Sequence, residues 1–479
     1  MMLTRLGAIG ALFVLSCSAT FAQEPQIDWA KTNKEIFQDF TSLIKIDSSN
    51  PPGNETQVAK YLQSVLEKEG ISSMLVGADP NRLSLIARLK GNGSKKPILI
   101  MGHTDVVGVQ RDRWSEDPFG AKLIDGYIWG RGTIDDKDLV TGALMTMILL
   151  KRSGVPLDRD VIFVAEAGEE GGSPNRTFGI SYLIDRNYPD IDAEYCLTEG
   201  GNFTSTGGKV QYQLVQVSEK EGRGMKLVAD GTSGHGSMPR EDNAIVHLAT
   251  AVGKLGAWQP PMELTPITKL YIEGLEKVST PEETARLKAL FDPVKTEAAQ
   301  EYFRANNIRM NSTLRTSISP NIIQGGFRAN VIPSEATATL DIRAVPGEDI
   351  DKFKTLMEKV IDDPEVQIVT PAQWRPETPS SSIDTELYRD LASVQQSFFP
   401  GTETIPGMST GGTDMKGLRA KGMQCYGIGA ELPTEDLITH AMHSDNERIQ
   451  ESGLYTFVRY EYSVVAKIAS NASATSNGL

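Results

Sequence analysis

The sequence predicts an α/β protein, a mixed-sheet domain into which a smaller α+β domain is inserted. Three observations predict it. Over the first half, strand and helix signals alternate: SLIARLKG, PILIMGHTDVV, the helix DLVTGALMTMILLKRSG, DVIFVAEAGEE, a helix around GISYLIDRN, then AEYCLTEGG. Short β-rich runs between helices imply a largely buried mixed sheet. From residue 217 to 372 the order becomes MKLVADG, NAIVHLATAVGKL, NIIQGGF, ATATLDIRAV, EDIDKFKTLMEKVI and EVQIV. That is a β-α-β-β-α-β, ferredoxin-like order of two layers. Finally, residues 373–479 carry TGGTD and HSDNE, polar clusters of the kind found in the first segment, so residues 23–216 and 373–479 are expected to form one discontinuous domain.

Residues 1–22 read as a secretory leader: Arg5 supplies the positive region, LGAIGALFVLS the apolar run, and Thr20-Phe21-Ala22 a small-residue cleavage site. The run falls short of the ~20 residues needed to span a bilayer. Export to the periplasm is the expectation, with lipid anchoring at Cys17 (VLSC) as the alternative. Next come a helix (IFQDFTSLIKI), the turn SSNPPGNE and a second helix (TQVAKYLQSVLEKEG) closed by Gly70. Within the inserted segment a charged helical region from about Leu264 to Asn307 is an addition to the six-element order, and Pro371 to Ser382 reads as the return linker. The net charge of −14 argues against nucleic acid or anionic lipid as a partner. Cys196 and Cys425 are too few for a disulfide scaffold and read as single buried thiols.

Five histidines occur in the chain. His103 and Asp105 lie two apart at the end of a strand, so both face the same way and the aspartate can brace a metal-binding imidazole. Asp135 and Asp136 sit between a glycine turn and a helix start. Glu169 and Glu170 follow the strand VIFVA, Glu199 follows AEYCL, and His443 opens HSDNE. Each has an ordinary explanation as a cap, a solvated end or a core histidine. Together they bring hard oxygen and imidazole donors to successive strand ends of one sheet, where open α/β sheets bind ligands. That mixture suits zinc, with cobalt or manganese as substitutes, and its excess of carboxylates suits two ions better than one. His247 falls on the apolar face of a helix and reads as a core or interface histidine. His440 is a weaker candidate than His443.

The motifs MGHTDVV, GRGTIDDKD, AGEEGGS, LTEGG, SGHGSMP, NVIPSEA, DIRAVPG, GGTD and HSDNE resemble, in order and spacing, those of the M20 metallopeptidases. That group includes glutamate carboxypeptidase, aminoacylase, acetylornithine deacetylase and succinyl-diaminopimelate desuccinylase. The resemblance implies a zinc-peptidase-like catalytic domain with an inserted lid and dimerisation domain. It implies His103, Asp135 and Glu199 on one zinc, and Asp135, Glu170 and His443 on the other. Asp105 would brace His103, and Glu169 would be the general base. His235 would stabilise the oxyanion from across a homodimer, while Asn330, Arg343, Gly411, Gly412 and Thr413 would bind substrate. The peptide bond after the bridging aspartate is expected to be cis. Asp138 departs from the glycine usual at its position.

The leading expectation is a secreted di-zinc carboxypeptidase or dipeptidase. An N-acyl-amino-acid deacylase is the alternative within the enzymes, and a non-catalytic peptide-binding protein on the same fold is the alternative outside them. The substrate would be a small peptide or N-acyl amino acid.

Overall fold

Four parallel strands, Val161–Glu166, Ile98–His103, Tyr195–Thr198 and Gln424–Gly427, lie side by side at the centre of a ten-stranded sheet in the computed structural model. The structure describes residues 27–374, 376–437 and 439–470, so the leader expected over 1–22, with Cys17, lies outside the described residues. Every residue of the first two strands is buried, as their unbroken apolar runs require for a sheet covered on both faces. Successive residues feed opposite cores. Ile98, Ile100, Phe163 and Ala165 pack with Val140, Leu144, Phe457 and Val464 of the helices Lys137–Ser153 and Glu451–Ala469. Leu99, Met101, Ile162 and Val164 pack on the other face with Leu183, Met415 and Cys425. Cys196 and Cys425 are register partners on adjacent strands, both free and buried.

Strands in mixed orientation flank this centre. Ser84–Leu89 and Ser73–Val76 extend one side; Lys209–Glu219, Asn202–Thr206 and Glu431–Pro433 extend the other, with Glu403–Ser409 running parallel to Lys209–Glu219. Lys209–Glu219 continues past residue 217, and Glu221–Gly222 already pairs with Arg343 and Ala344 of the second sheet.

That second sheet is antiparallel, in the order Ser317–Gly325, Glu335–Ala344, Met225–Asp230, Val366–Val369. Helices Ala244–Ala257 and Ile350–Ile361 cover one face through Leu248, Leu255, Phe353 and Met357, against Leu227 and Leu340. The predicted β-α-β-β-α-β order is thus present. The charged region inside it divides into Pro266–Val278, Pro281–Ala289, Thr296–Asn306 and Ile308–Thr313. Thr265 and Thr280 cap the first two, each followed by proline at the first helical position, where no N–H is needed. These helices have their own core, including Ile272, Leu287, Phe303 and Leu314. Pro266–Val278 lies against the large sheet: a Cβ on Gly274 would stand 2.7 Å from Ile405, and Lys277 pairs with Glu403 at 3.0 Å.

Candidate active site

The carboxyl ends of three central strands open on one edge. His103 ends its strand, the loop 167–170 follows Val161–Glu166, and Glu199 follows Tyr195–Thr198. Asp135 precedes the helix Lys137–Ser153, and the Asp135-Asp136 peptide bond is cis, as expected. His443 reaches the same place from the loop before the strand Arg448–Gln450.

Asp135 lies between two imidazoles. Its Oδ1 is 2.8 Å from His103 Nε2 and its Oδ2 is 3.1 Å from His443 Nε2, which is also 2.9 Å from Glu170 Oε1. Donor atoms of His103, Asp135 and Glu170 gather within 4.8 Å of one another, and so do those of His103, Glu169 and Glu199. Among the described residues, none of the four carboxylates Asp135, Glu169, Glu170 and Glu199 is ion-paired with lysine or arginine. The electrostatics follow. Burial opposes ionisation of Asp135, but hydrogen bonds from His103 and His443 outweigh it and hold the carboxyl well below its usual range. Hydrogen bonds to Asp135 and Glu170 push His443 up to about 10. Burial pushes Glu169 up to about 8 against the pull of His103, aided by the charges of Asp414, Glu170 and Asp135. Burial, then the neighbouring charge of Glu169, raises Glu199 well above the carboxylate range.

Asp105 does more than face His103, whose Nδ1 lies 3.0 Å from the Asp105 carbonyl oxygen and 3.5 Å from Oδ1. Its buried carboxylate accepts the backbone N–H groups of Gly168, Glu169 and Glu170 at 3.0, 3.1 and 3.2 Å. One aspartate therefore orients the imidazole and holds the loop carrying both glutamates. Asn50 donates to it at 2.8 Å, and Arg82, itself bound by Glu55, stands 3.8 Å away.

One further support was not singled out from the sequence. Glu447, fully buried, pairs with Arg131 and accepts the N–H groups of Gly132, Ile134 and Asp135 at 3.2, 2.8 and 3.3 Å. It thereby ties the loop of Asp135 to that of His443. The only signal was its place four residues after His443 in HSDNE. Asp136 accepts the His103 N–H at 3.0 Å through Oδ2. The second glycine of LTEGG has a packing reason: a Cβ on Gly201 would lie 2.2 Å from the Gly427 carbonyl and 2.4 Å from that of Leu214.

A family model described as peptidase family M20/M25/M40 matches residues 99–467. The chain belongs to this family. M20 relatives include the probable carboxypeptidase S-like 2 of Dictyostelium discoideum, 32% identical over 341 residues, a match covering 70% of this chain and 64% of that protein. The N-fatty-acyl-amino acid synthase/hydrolase PM20D1 of Homo sapiens is 28% identical, over 90% of this chain and 87% of its own. In fold, the M20 family metallo-carboxypeptidase Sso-CP2 from Sulfolobus solfataricus superposes with a TM-score of 0.65 at 19% identity, covering 90% of this chain and 98% of that one. M20 structures combine a catalytic domain with an inserted dimerisation domain, and the large mixed sheet with an inserted two-layer domain found here has the same arrangement. The family is metal-dependent and includes dinuclear peptidases.

The remaining M20-motif residues make no hydrogen bond to the carboxylate–imidazole cluster among the described residues. His235 is exposed in the short strand Gly234–His235, which pairs with Val331–Ile332 next to Asn330, and its Nδ1 is 2.8 Å from Ser237 Oγ. Arg343 Nε donates to Asp341 at 2.8 Å. Gly411 and Gly412 are exposed, whereas both the N–H and the hydroxyl of Thr413 donate to Glu219. Of the two readings of His247, core or interface, the core one does not hold. It is partly exposed and meets Asp363 Oδ2 at 2.7 Å, because its helix turns that position towards the loop between Ile350–Ile361 and Val366–Val369. His440 contacts the Asn446 carbonyl oxygen at 3.0 Å and packs edge-on to Trp129, outside the cluster.

Proposed function

We propose that the chain is a secreted hydrolase, holding two zinc ions, that cleaves the amide bond preceding a C-terminal amino acid with a free carboxylate, as a carboxypeptidase or dipeptidase does. The observation that carries this reading is the Asp135 carboxylate, which turns one oxygen towards each of two histidines. Four carboxylates with no lysine or arginine partner among the described residues leave negative charge that divalent cations would balance, and two imidazoles complete a donor set suited to zinc, with cobalt or manganese as substitutes. His103, Asp135 and Glu199 would hold one ion; Asp135, Glu170 and His443 would hold the other. Bound there, the ions supply Lewis-acid activation of water and of the scissile carbonyl.

Glu169 takes the proton of the attacking water and returns it to the leaving amine. Its backbone is fixed by Asp105, so the carboxyl reaches the reacting atoms from a set position. Arg343 and the segment Gly411 to Thr413 receive the substrate carboxylate, for which a guanidinium offers two parallel donors. Asn330 assists in substrate binding.

A second reading, an N-acyl-amino-acid deacylase, is favoured by exposed apolar side chains beside His443: Met442 is 48% exposed and Leu437 37%. The human relative's name points the same way. Dipeptides and N-acyl amino acids sharing one C-terminal residue, assayed on zinc-loaded protein, separate the two. Dipeptides are expected to show at least tenfold higher kcat/KM. The reverse order selects the deacylase, and no turnover of either class leaves a peptide-binding protein.

His235 serves a neighbouring copy in this proposal. The free edge of Ser317–Gly325 exposes Ile322 and Ile323, with Phe327 just beyond at 78% exposure, an apolar stripe suited to a twofold partner. Mixing inactive Glu169→Ala chains with inactive His235→Ala chains is expected to restore part of the activity. Verified subunit exchange without recovery would confine His235 to its own chain. The leader supports export, read as periplasmic.

A further inference from the structure

The chain crosses from the large sheet to the inserted domain at residues 219–223 and returns along 371–382. Both crossings converge on Glu219, the 4%-exposed last residue of its strand, in register with Ser409. Its Oε2 accepts the Thr413 N–H at 2.6 Å, and its Oε1 accepts the Thr413 hydroxyl at 3.2 Å and Arg419 Nη1 at 2.8 Å. Arg419, 3% exposed, also donates to Ser381 Oγ on the return crossing and to the Cys425 carbonyl, both at 3.1 Å. On the outgoing crossing the Lys220 N–H donates to Ser409 O at 3.0 Å, and Lys416 Nζ lies 3.5 Å from Glu221 Oε2. Between these anchors the Gly412 N–H has no hydrogen-bond partner among the described residues.

We propose that Glu219 is a positioning residue: it holds the segment 410–414 so that the Gly412 N–H faces the substrate. The inference rests on the reading above, in which this segment receives the substrate carboxylate. A buried carboxylate serving one loop through two donors and a neighbouring arginine through a third fixes the loop's angle more tightly than its glycines do alone.

The test is Glu219→Gln, which keeps the shape and loses the charge. For a substrate with a free C-terminal carboxylate, KM is expected to rise about tenfold, with kcat within about twofold and bound metal unchanged; loss of a charge-assisted hydrogen bond is of that order. Amide exchange at 410–414 is expected to quicken. The wild-type protein is assayed in parallel on the C-terminally amidated substrate. Absence of a carboxylate preference in the wild type would defeat the functional reading, whereas a preference that Glu219→Gln leaves intact would defeat the role of Glu219. A fall in kcat and metal content together, with KM unchanged, would also overturn it, as a merely structural role. Thr413→Val with Thr413→Ser carries the same test if Glu219→Gln does not fold. Valine is expected to raise KM and serine to restore it; equal KM values for the two would overturn the proposal.

Discussion

Asp135→Ala is expected to empty both metal positions, taking bound zinc after dialysis from two ions per chain to less than one. Activity should fall by more than the roughly 10–100-fold typical of a residue that only orients a ligand. The reason lies in the geometry: among the described residues Asp135 is the one carboxylate within hydrogen-bond distance of both His103 and His443, at 2.8 and 3.1 Å, so both donor sets lose it together. His443→Ala removes an imidazole whose side chain is 55% exposed and which lies close to Asp135 and Glu170, and is expected to weaken one position while sparing the other. Metal content by elemental analysis separates the two variants. Two ions retained by Asp135→Ala would end the bridging assignment.

Glu169→Ala is expected to lower kcat by about 10²–10⁴, the range for loss of a general acid–base group, with metal content unchanged. The second half of that expectation is the stringent one, because donor atoms of Glu169 lie within 4.8 Å of those of His103 and Glu199. Geometry alone would allow Glu169 to be a ligand. Loss of metal along with activity would make it one and reverse the roles of Glu169 and its neighbours. The loop itself should survive, since Asp105 grips the backbone N–H groups of residues 168–170 and not the Glu169 side chain. Glu169→Asp is expected to be nearly as damaging, because a shorter arm draws the carboxyl away from the reacting atoms.

The convergence of these side chains was legible where it depends on near neighbours in the chain. The two-residue spacing of His103 and Asp105 reads as a strand period, but the strand ends at His103, and Asp105 reaches the imidazole from two residues beyond that end. Glu169 and Glu199 follow apolar runs that become the parallel strands on either side of Ile98–His103, and the glycines of LTEGG mark a real close approach. The inserted domain was legible for the same reason, since each of its strands and helices announces itself by local periodicity. For His247 the limit is the same: periodicity placed it on a helix face but could not show Asp363 waiting there, which keeps it out of the core.

By itself, then, the sequence determined the order and type of the elements, the inserted architecture and the residues that could carry chemistry, because backbone periodicity, turns and caps are decided over a few residues. Only the tertiary structure decided which buried charges meet. Glu447 with Arg131, Glu55 with Arg82 and Glu219 with Arg419 join segments far apart in the chain, and each polar partner is chosen by the strand order that brings it near. It also laid the added helices against Glu403–Ser409. A buried charge stays in place only when its partner is within reach, and that reach is a property of the folded sheet, not of spacing along the chain.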